Sequence, residues 1–352
     1  MTHPMTTHHG MNDANPMIEL AGVRKTFGEK AAVAGLDLRI PRGATYGLLG
    51  PNGAGKTTTI RMLLQILEPD AGEIRVDGRR LDKSILDRIG YLPEERGVYK
   101  KMQVGRLLSF FGETRSVPPA KSRPVIREWL ERLELADRID SRVQELSKGM
   151  QQKIQFIAAI LHDPDIVILD EPFSGLDVLN QQVLKDIVLE LKRREKTIVF
   201  CTHMIEQAER ICDHVCILAR GEKVVDGRVS DVKREQGGTH VRLAFEQWSG
   251  GAVETVRRAP SVDSIHEHGQ ELEVTLKPSA TPHDLLDHLV RGGVRLGSFS
   301  RIEPSLERIF IQRVGATPEQ LAAQYAAHAE QKEAERIAAA QKKRRSLFGG
   351  GR

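Results

Sequence analysis

The sequence predicts an α/β protein with a parallel sheet covered on both faces, followed by a smaller α+β domain. Three observations carry this. Tyr46-Gly47-Leu48-Leu49 reads as a strand entering a glycine-rich turn, and Thr57 to Leu67 then has helical character, so strand, glycine loop and helix follow one another. Ile166 to Leu169 and Ile198 to Cys201 are apolar throughout and are separated by a helical Leu179 to Arg194. Strands without alternation are what a parallel sheet with helices on both faces requires. Near Gly221 the period changes: Val241, Leu243 and Phe245 alternate, as do Leu272, Val274 and Leu276, the pattern of a half-buried antiparallel sheet.

In chain order, residues 1–16 carry neither a basic start nor an apolar stretch, so they read as a disordered N-terminus and not as a signal peptide or anchor. Met17 to Leu20 opens a strand segment, and Leu36, Leu38 and Ile40 alternate in the next run. The stretch from about Pro93 to His162 is mostly helical in pattern, with Trp129, Leu130, Leu133 and Leu135 at helix-like spacings. The expected division is a first domain over 17–225 with a helical subdomain at about 95–162, an accessory α+β domain over 226–313, and a tail over 314–352. Within the accessory domain a helix is expected to start at Thr281 with Pro282 in its first position, and another near Ser305. Thr317, Pro318 and Gln320 form a capping-box start in the tail. The tail has too few large apolar residues to dock a full face, so it reads as basic and either helical or disordered.

Composition sets the class. The 352 residues suit about two domains. Their 40% hydrophobic and 28% charged content excludes collagen-like, coiled-coil and fully disordered chains. No apolar run reaches the roughly 18 residues a membrane span needs, so a membrane role would be peripheral and a cytoplasmic location is expected. Three cysteines argue against a disulfide framework. Of the net charge of +4, the residues from Gly315 onward supply +3, seven basic against four acidic. The body is therefore nearly neutral and gives no charge-based case for nucleic-acid binding.

Gly50-Pro51-Asn52-Gly53-Ala54-Gly55-Lys56-Thr57 fits G-x-x-x-x-G-K-[ST] at every fixed position, between a predicted strand and helix. Glycines let the backbone wrap phosphate oxygens, the helix start adds positive potential, Lys56 neutralises terminal phosphates, and Thr57 offers a hydroxyl to Mg²⁺. Asp165-Ile166-Val167-Ile168-Leu169-Asp170-Glu171 is a buried strand ending in two adjacent carboxylates, which need a cation or a reactive partner. That pattern gives Asp170 to the Mg²⁺ shell and Glu171 to polarising an attacking water.

Leu146-Ser147-Lys148-Gly149-Met150-Gln151-Gln152 lies with Ser147 91 residues after Lys56 and 23 before Asp170. The order phosphate loop, LSKGMQQ, ILDEP resembles the nucleotide-binding subunit of ATP-binding-cassette (ABC) transporters, over residues 17 to about 225. The resemblance implies an ABC-type P-loop fold, ATP and Mg²⁺ as cofactors, and ATP contacts along Gly50 to Thr57 and Thr58. It also implies that Ser147 and Gly149 act in trans on ATP held by a second subunit. Phe27 lies where the family stacks an aromatic on adenine, and Ser174-Gly175-Leu176-Asp177 resembles the loop that communicates across the dimer. His203, 32 residues beyond Glu171, matches the switch histidine at the γ-phosphate. The expected catalytic set is then Glu171, His203 and Lys56, with Thr57, Asp170 and Glu94 around the metal.

Glu94 departs from the family, which most often has a glutamine after Ile89-Gly90-Tyr91-Leu92-Pro93. Residues 90–99 are similar to a subgroup containing sodium exporters, and 226–313 resembles the accessory domain of drug- and sodium-exporter subunits. The resemblance implies an ATP-hydrolysing motor of an export complex on the inner face of the cell membrane. Its expected partners are a second ATPase subunit, most simply a head-to-tail homodimer, and a polytopic membrane permease. The alternative is a soluble ABC-type ATPase acting on ribosomes or nucleic acid; a third reading is a nucleotide-binding regulator without turnover. Cys212-x-His214-x-Cys216 lacks a second ligand pair and reads as structural. His266-x-His268 and the cluster of His3, His8 and His9 read as solvated loops, and Lys342-Lys343-Arg344-Arg345 as a solvated tail.

Overall fold

The computed structural model describes residues 15–94, 99–174, 176–237 and 240–314. The expected disorder of residues 1–14, the residues Glu95 and Gly175, and the tail with its capping box lie outside them. The described chain divides into two compact units, one up to Asp226 and one from Gly227.

The first unit opens with β1 (Ile18–Phe27) and β2 (Lys30–Ile40), an antiparallel pair with Ile18 opposite Ile40 and Phe27 opposite Lys30. Its inward residues Ile18, Leu20, Val23, Leu36, Leu38 and Ile40 are all buried. After β3 (Thr45–Leu49) and α1 (Lys56–Leu63), β4 (Ala71–Val76) pairs with the other edge of β1, and β5 (Arg79–Arg80) extends that sheet. Then come α2 (Lys83–Leu86), β6 (Ile89–Leu92), and the helical stretch α3 (Val104–Thr114), α4 (Pro119–Arg132) and α5 (Lys148–Ile160). The unit closes with β7 (Ile166–Asp170), α6 (Val178–Arg193), β8 (Thr197–Thr202), α7 (Ile205–Ile211), β9 (His214–Ala219) and β10 (Glu222–Arg228).

The large sheet has the order β10-β9-β3-β8-β7-β6, with β9, β3, β8, β7 and β6 mutually parallel. Every residue of β3, β7 and β8 is buried, which is why these strands read as unbroken apolar runs.

Two helix ends differ from the expected ones. α1 stops at Leu63, short of Leu67, because Gln65 takes φ 54° and the Ile66 and Leu67 amides both donate back to the Arg61 carbonyl at 2.9 and 3.1 Å. That left-handed turn satisfies the open carbonyls of the last turn while the apolar spacing continues past it. Likewise α4 stops at Arg132, Glu134 takes φ 58°, and Leu133 and Leu135 lie beyond the helix yet are buried.

The second unit contains α8 (Val229–Gly237), β11 (His240–Phe245), α9 (Gly250–Arg257), β12 (Val262–His268), β13 (Glu271–Leu276), α10 (Pro282–Arg291), β14 (Leu296–Arg301) and α11 (Leu306–Val314). Its antiparallel sheet runs β12-β13-β11-β14. Val241, Leu243, Leu272, Val274 and Leu276 alternate onto one face and pack with Val253 and Val256 of α9 and Leu285 and Leu289 of α10. Each such side chain taken fully out of water contributes about 1.5–3 kcal/mol. Thr281 caps α10 in a reciprocal box, its own amide donating to Asp284 at 2.7 Å and Asp284 N–H to its hydroxyl at 3.3 Å, with Pro282 at the first position. Ser305 caps α11 through Arg308 N–H at 3.2 Å.

No described helix is long and apolar enough to cross a membrane. The three cysteines are free and buried; Cys212 ends α7, whereas His214 and Cys216 lie in β9, where the His214 ring is parallel to Tyr46 with centroids 6.2 Å apart. Among the described residues no group of three or more His, Cys, Asp or Glu could hold a metal ion.

Candidate functional site

Four parallel strands lie side by side in the order β3, β8, β7, β6, so the residues following their carboxyl ends share one rim. That rim is where open α/β sheets bind ligands. It carries the loop from Gly50 to Lys56 after β3, His203 after β8, Asp170 and Glu171 at the end of β7, and Glu94 two residues past Leu92 of β6.

The phosphate loop is shaped by glycines that no other residue can replace without strain. Gly50 has φ 140° and a Cβ there would meet the Leu218 carbonyl oxygen at 2.2 Å; Gly55 has φ 106° and would meet the Ala32 carbonyl oxygen at 2.4 Å. Asn52 and Gly53 at the tip are exposed, Pro51 is half-buried and Ala54 is buried. α1 begins at Lys56, with Thr57 and Thr58 half-buried in its first turn, where helix N–H groups lack intrahelical partners. The buried Lys56 Nζ donates to the Gly50 carbonyl at 2.6 Å and the Pro51 carbonyl at 3.1 Å, so the ammonium is folded onto the loop's own oxygens.

Asp170 is 2% exposed and its Oδ2 has no hydrogen-bond partner among the described residues. Burial raises its pKa; the Cys201 thiol, donating a hydrogen bond, and the charge of Lys56 act in the opposite sense, while the charge of Glu171 adds to the rise. An orphaned buried carboxylate oxygen on the same rim as the Thr57 hydroxyl is an oxygen donor set that fits Mg²⁺. The neighbouring Glu171, 6% exposed, takes φ 50° as its amide donates to the Cys201 carbonyl at 2.9 Å. Its Oε1 accepts from the His203 backbone N–H at 2.9 Å and lies 2.6 Å from His203 Nδ1. Its Oε2 accepts from the Thr202 hydroxyl at 2.9 Å. The structure thus brings Glu171 and His203 into contact, because β7 and β8 are adjacent with Asp170 opposite Cys201.

The remaining predicted residues form a second group. Ser147 caps α5, its Oγ accepting from Met150 N–H at 3.2 Å. Asp177 caps α6, accepting from the Asn180 amide at 2.9 Å and the Asn180 side chain at 2.6 Å. A Cβ on Gly149 would sit 3.4 Å from Asn180 Nδ2 and 3.6 Å from Leu176, so the starts of α5 and α6 abut through Asn180. No hydrogen bond or ion pair joins Ser147, Gly149 or Asp177 to the phosphate loop, Asp170, Glu171 or His203 among the described residues. Phe27 ends β1 with 52% of its surface exposed, and Lys25 Nζ lies over its ring, 5.9 Å from the centroid. Glu94 is half-buried. Thr202, Cys201 and Asn180 were not singled out by the sequence; the one signal for the first two is their place at the end of the strand that precedes His203.

Residues 33–174 match the family described as ABC transporter, and residues 227–314 match the family described as ATP-binding protein DrrA1-3-like, C-terminal domain. The uncharacterized ABC transporter ATP-binding protein YhaQ of Bacillus subtilis (strain 168) is 41% identical over 312 residues, covering 86% of this chain and 100% of the relative. The chain belongs to the ATP-binding proteins of ABC transporters. Also similar to this ABC ATP-binding protein is the Nod factor export ATP-binding protein I of Rhizobium sp. (strain N33), 36% identical over 301 residues, covering 85% of this chain and 97% of the relative. A solved structure described as that of the ATP binding subunit of an ABC transporter superposes with a TM-score of 0.59 and 30% identity, covering 62% of this chain and 92% of that one. The protein is accordingly an ATPase that binds ATP and hydrolyses it to drive transport.

Proposed function

We propose that this ABC ATP-binding protein powers an exporter by pairing head-to-tail with a second ATPase subunit, most simply its own copy, and docking on a separate polytopic permease at the inner face of the cell membrane. The observation that carries the dimer is the separation of two half-sites in one chain. The phosphate-loop rim holds Lys56, Asp170, Glu171 and His203, while Ser147 and Gly149 stand at the start of α5 with no hydrogen bond or ion pair to those four among the described residues. A surface that complements a different surface of the same chain closes by two-fold pairing into two composite sites. The export direction is supported by the likeness to a relative named for export and by the DrrA-like C-terminal match. The alternative, a soluble ATPase acting on ribosomes or nucleic acid, is not favoured, since the relatives aligned over most of the chain are named for transport.

In this reading Phe27 stacks on adenine, and the backbone of Gly50 to Thr58 cradles the phosphates. Lys56 exchanges its loop carbonyls for the terminal phosphates. Thr57, Asp170 and Glu94 would hold Mg²⁺, which supplies positive charge to the phosphate oxygens. Glu171 orients the attacking water and accepts its proton, while His203, held through Nδ1, keeps Nε2 for the γ-phosphate. The partner's copy of the α5 start closes the site with a hydroxyl and helix N–H groups.

Glu171→Gln is expected to cut ATP turnover by about 100-fold or more with ATP affinity retained, and to hold an ATP-bound dimer. Tagged Glu171→Gln protein purified from detergent-solubilised membranes with ATP and Mg²⁺ should bring down a stoichiometric polytopic membrane protein. Recovery with ribosomes or nucleic acid instead would overturn the exporter reading.

A further inference from the structure

The carboxylate of Glu171 is held through three contacts by two residues at the end of β8, Thr202 and His203. Two of its contacts come from His203, whose side chain is a quarter exposed. The third comes from Thr202, which is buried, and it is the one hydrogen bond to Oε2 among the described residues. The Thr202 hydroxyl has a single proton and is itself an acceptor for the Met204 backbone N–H at 3.0 Å. With that lone pair occupied by a main-chain donor, the hydroxyl proton is directed at Glu171. Oε2 is thereby tied to the backbone of β8 through a buried side chain that strand pairing holds in place, because β8 lies between β3 and β7.

We propose that Thr202 is a positioning residue for hydrolysis: it fixes the rotamer of Glu171 so that Oε1 faces His203 and the rim. This rests on the reading that Glu171 prepares the attacking water. Glu171 needs such a clamp for two reasons. Its backbone sits at φ 50°, a region that non-glycine residues occupy only when their surroundings hold them there. Its side chain is also 6% exposed, so losing a donor leaves a buried carboxylate short of a partner. The Thr202 hydroxyl and the His203 backbone N–H hold the carboxylate wherever the His203 imidazole points, and only the hydroxyl holds it through a side chain that can be removed without touching His203.

The test compares Thr202→Val, which has the same shape without the hydroxyl, with Thr202→Ser, which keeps the hydroxyl. Three quantities are read for each: steady-state ATP hydrolysis, equilibrium binding of a fluorescent ATP analogue, and thermal unfolding. Thr202→Val is expected to lower kcat by about 10- to 100-fold, with KM and analogue affinity within about twofold. Thr202→Ser is expected to recover kcat to within about threefold of the parent. An unchanged kcat in Thr202→Val overturns the proposal. So does a loss shared equally by Val and Ser, or a Val loss that tracks KM and melting, since each marks a packing role. Glu171→Gln is run alongside: if it keeps full turnover, the reading of Glu171 fails, whereas an inactive Glu171→Gln beside a fully active Thr202→Val removes Thr202 alone.

Discussion

The two units of this chain differ in what they bury. The first encloses Lys56, Lys153, Asp170 and Glu171, whereas the second, among its described residues, encloses no Lys, Arg, Asp or Glu and has His240, Ser261 and Thr275 as its buried polar residues. The eight described non-glycine residues at positive φ, Glu171 among them, all lie at or before Arg220, and in the second unit glycines alone take that conformation. Gln65 and Glu134 use that conformation to end helices, whereas at Glu171 it coincides with a buried carboxylate at the functional rim, where the cost falls on a group that chemistry needs. The second unit has an apolar core on alternating strands and pairs its Arg308 with Glu273 at 3.1 Å, an arrangement that packing alone explains.

The contrast can be broken most sharply at the phosphate loop. Gly50→Ala would place a methyl 2.2 Å from a backbone oxygen. It is expected to weaken ATP binding by at least about 100-fold, measured by calorimetric titration, because the loop must open to admit it. In the second unit, Leu243→Ala is expected to cost about 2–5 kcal/mol of that unit's stability, seen in scanning calorimetry, while ATP affinity stays within about twofold. Loss of both together would refute the separation.

A smaller effect sharpens the contrast from the other side. Asp170→Asn removes a buried charge whose Oδ2 is unpaired, so it is expected to raise the melting temperature at pH 7 by about 2–4 °C while abolishing turnover. The sign follows from the raised pKa. As pH rises above the ordinary value near 3.8, the unfolded chain ionises before the buried group does, and stability falls. The gap between Asn and the parent should therefore close on acidification toward that value, as melting curves across pH would show.

Much of this was legible in the sequence because the chemistry is contiguous. Gly50 to Thr57 and Asp165 to Glu171 each state a local geometry, and unbroken apolar runs identified β7 and β8 as buried parallel strands. The boundary residues were less legible. Gln65 and Glu134 end their helices through backbone conformations that leave no mark on apolar spacing, so Ile66, Leu67, Leu133 and Leu135 read as helical. Thr202, Cys201 and Asn180 acquire their contacts from strand register and from the meeting of α5 with α6, which pair residues far apart in the chain. The antiparallel pairing of β1 with β4, Ile18 opposite Val76, is non-local in the same way.

The composite site is tested most directly by mixing two inactive chains. Lys56→Ala keeps the α5 start but loses its phosphate loop's lysine; Ser147→Arg keeps the loop but blocks the α5 start. In a head-to-tail dimer a mixed pair contains one site built wholly from intact halves, so equal mixing should restore ATP turnover to roughly a quarter of the parent. Turnover that stays at the level of either variant alone would contradict a site shared between two chains.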